Sequence, residues 1–196
     1  MTGLIILAAG SSSRLGKPKQ NLLFNGKTLL QHAVDNALES VCSKVTVVLG
    51  ANAELIQPLI IRTNLSVVHN ADWAEGMASS IRYGLAELTL LLPDLNAVVL
   101  MLCDQPFVDN ALIDQLVKAG DSSTSGIAAC AYDNTIGPPA YFNSNHFKEL
   151  SQLKGKEGAK KILLTYSEKV KTIPFALGGT DIDTIEAYNQ LMNRNI

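Results

Sequence analysis

The sequence has little cysteine, no long apolar run and no strong charge of either sign. Its three cysteines, Cys42, Cys103 and Cys130, are far apart and form no C-x-x-C pair, which argues against a disulfide framework, a zinc site and a dithiol redox site. No apolar run approaches the roughly 20 residues that a membrane helix needs. A formal charge of −2 gives no general attraction to nucleic acid or to an anionic membrane. We therefore expect a cytoplasmic protein with reduced thiols, which binds neither nucleic acid nor a membrane.

We also expect no targeting segment, because Met1–Ala9 lacks the basic stretch that precedes the apolar part of a signal peptide. The 196 residues are 47% apolar, which is enough to bury a substantial core without a disulfide or a structural metal. Internal repeats and low-complexity stretches are missing from the sequence. These features predict a single domain over residues 1–196.

Short apolar runs alternate with stretches of helical period along the chain. Ile5–Ala8 and Ala97–Leu102 have the length and composition of strands that are covered on both faces. Between such runs, apolar residues recur at helical spacing, as in Leu29–Leu38 and Leu112–Val117. The alternation predicts an α/β fold, a Rossmann-like and mainly parallel sheet with helices on both faces. The other predicted strands are Val45–Leu49, Leu65–Val68, Ile127–Tyr132 and one near Val170–Pro174, and the later helices lie around His146–Gln152, around Ala159–Tyr166 and from Thr184 onward.

The first apolar run ends at Gly10 and continues into a loop of small residues that carries Arg14, Lys17 and Lys19. Small residues let backbone N–H groups converge on phosphate oxygens, and the cations that follow neutralise phosphate charge. The loop therefore predicts a site for a polyphosphate, and hence for a nucleotide.

This loop differs from the two best-known phosphate-binding loops. A P-loop has four residues between its glycines and then Lys-Ser/Thr, whereas Gly10 and Gly16 enclose five residues and Pro18 follows Lys17. The dinucleotide pattern G-x-G-x-x-G also fails, because serines stand where the second and third glycines are needed. Neither a P-loop ATPase nor a dinucleotide-dependent enzyme is indicated.

Asp104 directly follows the almost wholly apolar run Ala97–Cys103. Its carboxylate is expected at the carboxyl end of a buried strand, the sheet edge where α/β proteins bind ligands and where the Gly10 loop also falls. Mg²⁺ prefers hard oxygen ligands and is usually held by one or two carboxylates together with substrate phosphates. Asp104 is therefore a candidate magnesium ligand.

Six ordered blocks cover nearly the whole chain and resemble one known family. The first is LAAGSSSRLGKPK, which matches the pattern LAAGxxxRMGxxK with Leu15 in place of the usual methionine. Together the blocks resemble the MobA-like nucleotidyltransferase family, and in particular its molybdenum cofactor cytidylyltransferase branch. The remaining blocks are GMASSIRYGL (76–85), CDQP (103–106), GPPAYF (137–142), GKEGAKKIL (155–163) and DIDT (181–184).

The resemblance implies that CMP is transferred from CTP to the phosphate of molybdopterin or of the molybdenum cofactor, with release of pyrophosphate. In that reaction Lys19 stabilises the charge that develops at the α-phosphate and Arg14 supports the leaving pyrophosphate, so that Arg14, Lys19 and Asp104 are the catalytic residues. The nucleotide-binding residues that the resemblance implies are Leu7, Ala8, Ala9, Gly10, Ser11, Arg14, Lys19, Gly76, Ser80 and Gln105.

The resemblance also implies a metal and an acceptor site. Asp104 and a carboxylate of the DIDT block would hold Mg²⁺, with Asp183 assigned to the second position and Asp181 as the alternative. The acceptor would contact Gly137, Pro138 and Pro139, which we expect to form a rigid loop after the fifth strand.

Two residues bear on the choice of nucleotide, and the acceptor stays open. Ala9 and Gln105 are typical of the cytidylyl-transferring members, whereas guanylyl-transferring members have glycine and methionine there. An alternative reading is a nucleotidyltransferase for a sugar or polyol phosphate, of the methylerythritol phosphate type. Another is a non-catalytic nucleotide-binding protein that assists a molybdenum hydroxylase, whose apoprotein would be its partner.

Overall fold

The computed structural model describes residues 1–193, in which seven strands form one sheet and two more form a short hairpin. The sheet strands are β1 (Thr2–Ala8), β4 (Lys44–Leu49), β5 (Leu65–His69), β6 (Ala97–Leu102), β7 (Ile127–Tyr132), β8 (Thr135–Asn143) and β9 (Lys171–Pro174), and the hairpin strands are β2 (Leu23–Phe24) and β3 (Lys27–Thr28). The sheet order is β5-β4-β1-β6-β8-β7-β9. Every neighbouring pair is parallel except the two pairs that involve β8.

Helices cover both faces of the sheet, which confirms the Rossmann-like prediction. In β1, Leu4 and Ile6 pack into the core under α1 and α4, whereas Ile5 packs into the core under α3, α5 and α6. Among residues 1–193, no helix combines the length and the apolar character needed to cross a membrane. The helices are α1 (Leu29–Leu38), α2 (Ala53–Ile56), α3 (Met77–Leu91), α4 (Asn110–Asp121), α5 (Phe147–Ser151), α6 (Lys160–Thr165) and α7 (Ile185–Met192).

Local side chains fix where several helices begin. Thr28 and Gln31 form a reciprocal capping box at the start of α1, and the Asp109 carboxylate accepts a hydrogen bond from the Leu112 N–H at the start of α4. Thr184 caps α7 in the same way. The predicted closing helix is thus confirmed from Ile185 to Met192, and the part of that prediction that falls on residues 194–196 lies outside the described residues.

The prediction of a loop at residues 137–139 is wrong, because Gly137, Pro138 and Pro139 lie inside β8. Prolines cannot donate to a strand ladder, which is why the sequence argued against a strand there. The structure accommodates them at an irregularity: the pairing of β8 with β7 passes from Ala140 directly to Gly137, and the pairing with β6 stops at Ala140. Neither proline N position is therefore required by a neighbouring strand.

A small third core lies beside the sheet edge where the strands β1 and β6 end. Its buried residues include Leu15 from the loop after β1, Phe24 from the hairpin, Ile182 and Leu191. Ile182 is fully buried, and its backbone N–H donates to the carbonyl of Asp104 at 3.2 Å. This core therefore brings the glycine loop and the DIDT segment to the same place.

Candidate active site

A cleft of about 390 Å³ lies at the carboxyl ends of β1 and β6, between the loop after β1, the start of α3 and the DIDT segment. This volume is within the range of small-molecule sites. The predicted site residues that line the cleft are Leu7, Ala8, Ala9, Gly10, Lys19, Gly76, Ser80, Asp104 and Asp183, and the alternative ligand Asp181 lines it as well.

The loop after β1 is closed by Gln20, a fully buried side chain. Its amide N–H group donates to the carbonyl of Ala8 at 2.7 Å and to that of Gly10 at 3.1 Å. The Ser12 hydroxyl accepts the backbone N–H of Lys19 at 3.0 Å across the same loop. These bonds fold the loop back on the end of β1, so that Lys19 returns to the cleft.

The opposite wall is the start of α3, where Gly76 has a φ of 128°. A Cβ at this position would lie 2.5 Å from the Gly155 carbonyl oxygen, so only glycine fits both the conformation and the space. That carbonyl accepts the Ala78 N–H at 3.2 Å, which attaches the GKEG segment to the helix start. Ser80 lies one turn on, and its oxygen accepts a hydrogen bond from the Asn70 amide at 3.0 Å.

Two carboxylates converge on one ammonium group inside the cleft. The Lys19 Nζ donates to a carboxylate oxygen of Asp104 and to Oδ1 of Asp183, the latter at 2.7 Å. Arg14 Nη2 donates to the other oxygen of Asp183 at 2.8 Å. The Lys19 and Asp104 side chains are 17% and 6% exposed, whereas that of Arg14 is 68% exposed. The structure thus brings together the three predicted catalytic residues and the assigned second metal ligand.

The charges of this cluster shift its pKa values. Burial lowers the pKa of Lys19, but Asp104, Cys103 and Asp183 together raise it by more, and the net pKa lies well above that of an ordinary lysine. Burial raises the pKa of Asp183, but hydrogen bonds and charge from Lys19 and Arg14 bring it below its ordinary value. Burial, and then the charges of Asp104 and Asp183, raise the pKa of Asp181 to about 6. The cleft therefore holds negative charge that its own cations only partly offset.

Six predicted site residues do not line the cleft: Arg14, Ser11, Gln105, Gly137, Pro138 and Pro139. Ser11 is exposed in the loop, and Gly137, Pro138 and Pro139 lie in β8 beyond Gln105. The buried Gln105 amide donates to the carbonyls of Pro138 at 3.2 Å and Gly178 at 2.9 Å, so it links β8 to the segment before DIDT. The roles of these residues in nucleotide or acceptor binding stay predictions.

Sequence reasoning missed two residues that shape the cleft. Gln20 gave no functional signal except its place directly after Lys19 in the cationic loop. Trp73 lines the cleft from a single 3₁₀ turn, Trp73–Glu75, that precedes Gly76. The sequence contains one indication for Trp73: it is the only tryptophan, and it stands three residues before the block GMASSIRYGL.

Comparison with known proteins gives the family. The model of the MobA-like NTP transferase domain matches residues 4–170. The chain belongs to the MobA-like NTP transferase family. Nicotine blue oxidoreductase of Paenarthrobacter nicotinovorans is 30% identical over 203 residues, which cover 96% of this MobA-like chain and 95% of that protein. The molybdenum cofactor cytidylyltransferase of Escherichia coli (strain K12) is 37% identical over 79 residues, 40% of this chain and 41% of that enzyme.

Solved structures show the same MobA-like architecture. Rv0371c from Mycobacterium tuberculosis H37Rv superposes with a TM-score of 0.85 and 30% identity, covering 98% of both chains. A structure of Rv0371c in complex with manganese superposes with a TM-score of 0.81 and 28% identity, covering 97% of each chain. The family that the six sequence blocks implied and the fold that the alternating runs predicted are both confirmed.

Proposed function

We propose that this protein transfers CMP from CTP to the phosphate of an acceptor of the molybdopterin or molybdenum cofactor type, with release of pyrophosphate. The observation that carries the proposal is the meeting of Asp104, Asp183 and Lys19 in a nucleotide-sized cleft beside the Gly10 loop. Membership of the MobA-like NTP transferase family supports a nucleoside triphosphate as donor. The partial likeness to the Escherichia coli molybdenum cofactor cytidylyltransferase supports the cytidine nucleotide and the acceptor.

The residues present fit a divalent metal ion. Asp104 and Asp183 already enclose a cation, the Lys19 ammonium, and the pKa of Asp181 is raised first by burial and then by the negative charges of Asp104 and Asp183. Residues 1–193 contain no cluster of three or more His, Cys, Asp or Glu side chains arranged to hold a metal ion by themselves. Two carboxylates suffice for Mg²⁺, because substrate phosphates supply further oxygen ligands.

Asp104 and Asp183 would therefore hold Mg²⁺, which when bound would neutralise phosphate charge as the α-phosphate is attacked. The manganese complex of Rv0371c supports a divalent cation in a related protein. The backbone of the Gly10 loop and the start of α3 face the rest of the cleft, where the triphosphate and the nucleoside would lie.

The chain needs to supply no general base for this reaction. A phosphomonoester has a second pKa near 6, so the acceptor phosphate is largely dianionic at neutral pH and is nucleophilic once it is aligned. An acceptor oxygen forms the new bond to the α-phosphorus, and the bond from that phosphorus to the bridging oxygen breaks, so pyrophosphate leaves with that electron pair. Lys19 would move from the carboxylates to the α-phosphate, and Arg14 would bind the pyrophosphate as it leaves.

The deciding experiment measures pyrophosphate release from CTP with Mg²⁺ and with molybdopterin, the molybdenum cofactor or a sugar or polyol phosphate as acceptor. We expect release only with the pterin-containing acceptors, and we expect Asp104→Asn to abolish it. Release that requires a sugar or polyol phosphate would replace the proposed acceptor. CTP binding without release for any acceptor would refute the transferase and favour an accessory role toward a molybdenum hydroxylase.

A further inference from the structure

We propose that Trp73 is the residue on which the base of the bound nucleotide stacks, and that it distinguishes nucleotides from inorganic polyphosphates. This inference rests on the proposed nucleotide transfer. Trp73 lines the cleft from the 3₁₀ turn Trp73–Glu75, which directly precedes Gly76. It is the only tryptophan of the sequence.

The indole of Trp73 is left open by the rest of the protein. The residue is 39% exposed, so part of its large apolar surface stays accessible from the cleft. Across the described part of the chain, the indole N–H has no hydrogen-bond acceptor and the ring contacts no other aromatic ring. A flat apolar surface with an unused donor suits a planar heteroaromatic ring.

Trp73 lies beside Ala9, one of the two residues that bear on the choice of nucleotide. A Cβ built on Gly50 would be 2.5 Å from the Trp73 Cβ and 2.9 Å from the Ala9 Cβ, so the side chains of Trp73 and Ala9 both begin next to Gly50 and close to each other. Gly50 thus provides the room that lets Trp73 approach the end of β1. A base held against Ala9 would be within reach of the indole.

The turn that carries Trp73 is fixed on both sides. Before it, the Asp72 N–H donates to the Asn70 side-chain oxygen at 2.9 Å, and the Tyr83 hydroxyl donates to the Asp72 carboxylate at 3.0 Å. After it, Glu75 forms an ion pair with Arg82 at 2.6 Å. The backbone of this turn is therefore held in position before a ligand arrives, which reduces the entropy lost on binding.

The base suits Trp73 better than the phosphates or the acceptor do. The phosphates would bind the cations around Lys19 and, through a metal ion, its carboxylates, whereas Trp73 begins beside the uncharged Ala9. The predicted acceptor residues 137–139 lie in β8, outside the cleft lining. Every base has a π-face, so stacking adds affinity for any nucleotide and none for a bare triphosphate.

The test compares the Kd of CTP with that of inorganic triphosphate by calorimetry in Mg²⁺. We expect Trp73→Leu to weaken CTP binding about tenfold and to leave triphosphate binding almost unchanged, because only the base stacks on the indole. Trp73→Phe should restore most of the lost affinity. The matched control is Leu90→Ala, which removes an exposed apolar side chain from the other end of α3 and should change neither Kd.

A second readout uses the wild-type protein, so it does not depend on the folding of a variant. The fluorescence of the single tryptophan should be quenched saturably by CTP and hardly at all by inorganic triphosphate. An unchanged CTP affinity in Trp73→Leu, equal weakening of both ligands, or equal quenching by both would overturn the inference. Trp73-dependent CTP binding without pyrophosphate release would refute the proposed transferase and leave the stacking role intact, whereas a failure to bind CTP would refute both.

Discussion

Replacing Lys19 by alanine should change metal binding and turnover in opposite directions. Its ammonium group contacts both carboxylates that would hold the metal, at 2.7 Å from Asp183 and in a hydrogen bond with Asp104. Two unit charges about 4 Å apart interact by about 4 kcal/mol at an effective dielectric constant of about 20, so a divalent cation beside this ammonium would meet about twice that repulsion. We expect most of this repulsion to be relieved, because Lys19 can move away from the metal and water screens the 42% exposed Asp183 side chain.

In the absence of nucleotide, we therefore expect Lys19→Ala to bind Mn²⁺ at least about tenfold more tightly, equivalent to about 1.4 kcal/mol. The same variant should lose turnover by roughly 10² to 10³, the effect of removing one preorganised charge contact from the transition state. Mn²⁺ affinity is measured by calorimetry with the nucleotide-free protein, and turnover by pyrophosphate release at saturating CTP and acceptor.

The control is Lys17→Ala. The Lys17 ammonium lies 5.8 Å from the centroid of the Tyr188 ring and outside the cleft lining, so both effects should be much smaller. Mn²⁺ affinity that is unchanged or weaker in Lys19→Ala would refute the competition between ammonium and metal. Near-normal turnover of Lys19→Ala beside a large loss in Lys17→Ala would show that the other lysine is catalytic.

Three further predictions concern the carboxylates and the nucleotide. Asp104→Asn should abolish metal-dependent turnover yet retain most CTP affinity by calorimetry, since the amide removes the anionic ligand; turnover that survives chelators would contradict this. The raised pKa of Asp181, about 6, means that the folded state binds this proton more tightly than the unfolded state, so its contribution to stability falls as pH rises from about 4 to about 6. Because Asp181 is exposed, solvent screening reduces the effect, and nucleotide-free Asp181→Asn should melt about 2–4 °C above the wild type at pH 8 and show no advantage near pH 4 in calorimetric scans; a difference that is constant with pH would exclude Asp181 as the cause. In initial-rate assays, kcat/KM for CTP should exceed that for GTP by at least roughly tenfold. Ala9→Gly should reduce this ratio more than Gln105→Met does, because of these two residues only Ala9 lines the cleft. Equal use of GTP by the wild type would refute the assignment of CTP as the substrate.

The regular strands and helices could be predicted, because the spacing of apolar residues along the sequence shows which side chains face the core. The run Ala97–Leu102 is a strand with the predicted ends, and the strand at Ile5–Ala8 begins three residues earlier than predicted, at Thr2. The apolar spacing at Leu29–Leu38 and around Leu112 also predicted helices that the structure contains. Strand β8 could not be predicted in the same way, because Pro138 and Pro139 contradict strand propensity. Only the neighbouring strands reveal that the pairing leaves out both prolines.

The site was predictable where a residue's chemistry follows from its own segment. Asp104 follows an apolar strand and could be assigned from local pattern, whereas the cationic loop alone does not distinguish Lys19 from Lys17, and the family resemblance selects Lys19. Gln20 could not be, because its role depends on reaching back to the carbonyl of Ala8. The partners of Gln105, which include the Gly178 carbonyl, also come from a segment that is remote in sequence, and no local pattern contains them.

The two proposed metal ligands, Asp104 and Asp183, are held close together by an apolar residue, Ile182, that takes no part in the chemistry. Ile182 is fully buried in the same small core as Leu15, so the DIDT segment and the Gly10 loop are packed against each other through these two side chains. The backbone bond from Ile182 to the Asp104 carbonyl then sets Asp183 opposite Asp104. Leu15, which stands where relatives have methionine, keeps an apolar side chain of similar size, and such exchanges are tolerated in a packed core. The departure from the family pattern at this position therefore leaves the relation between loop and carboxylates intact.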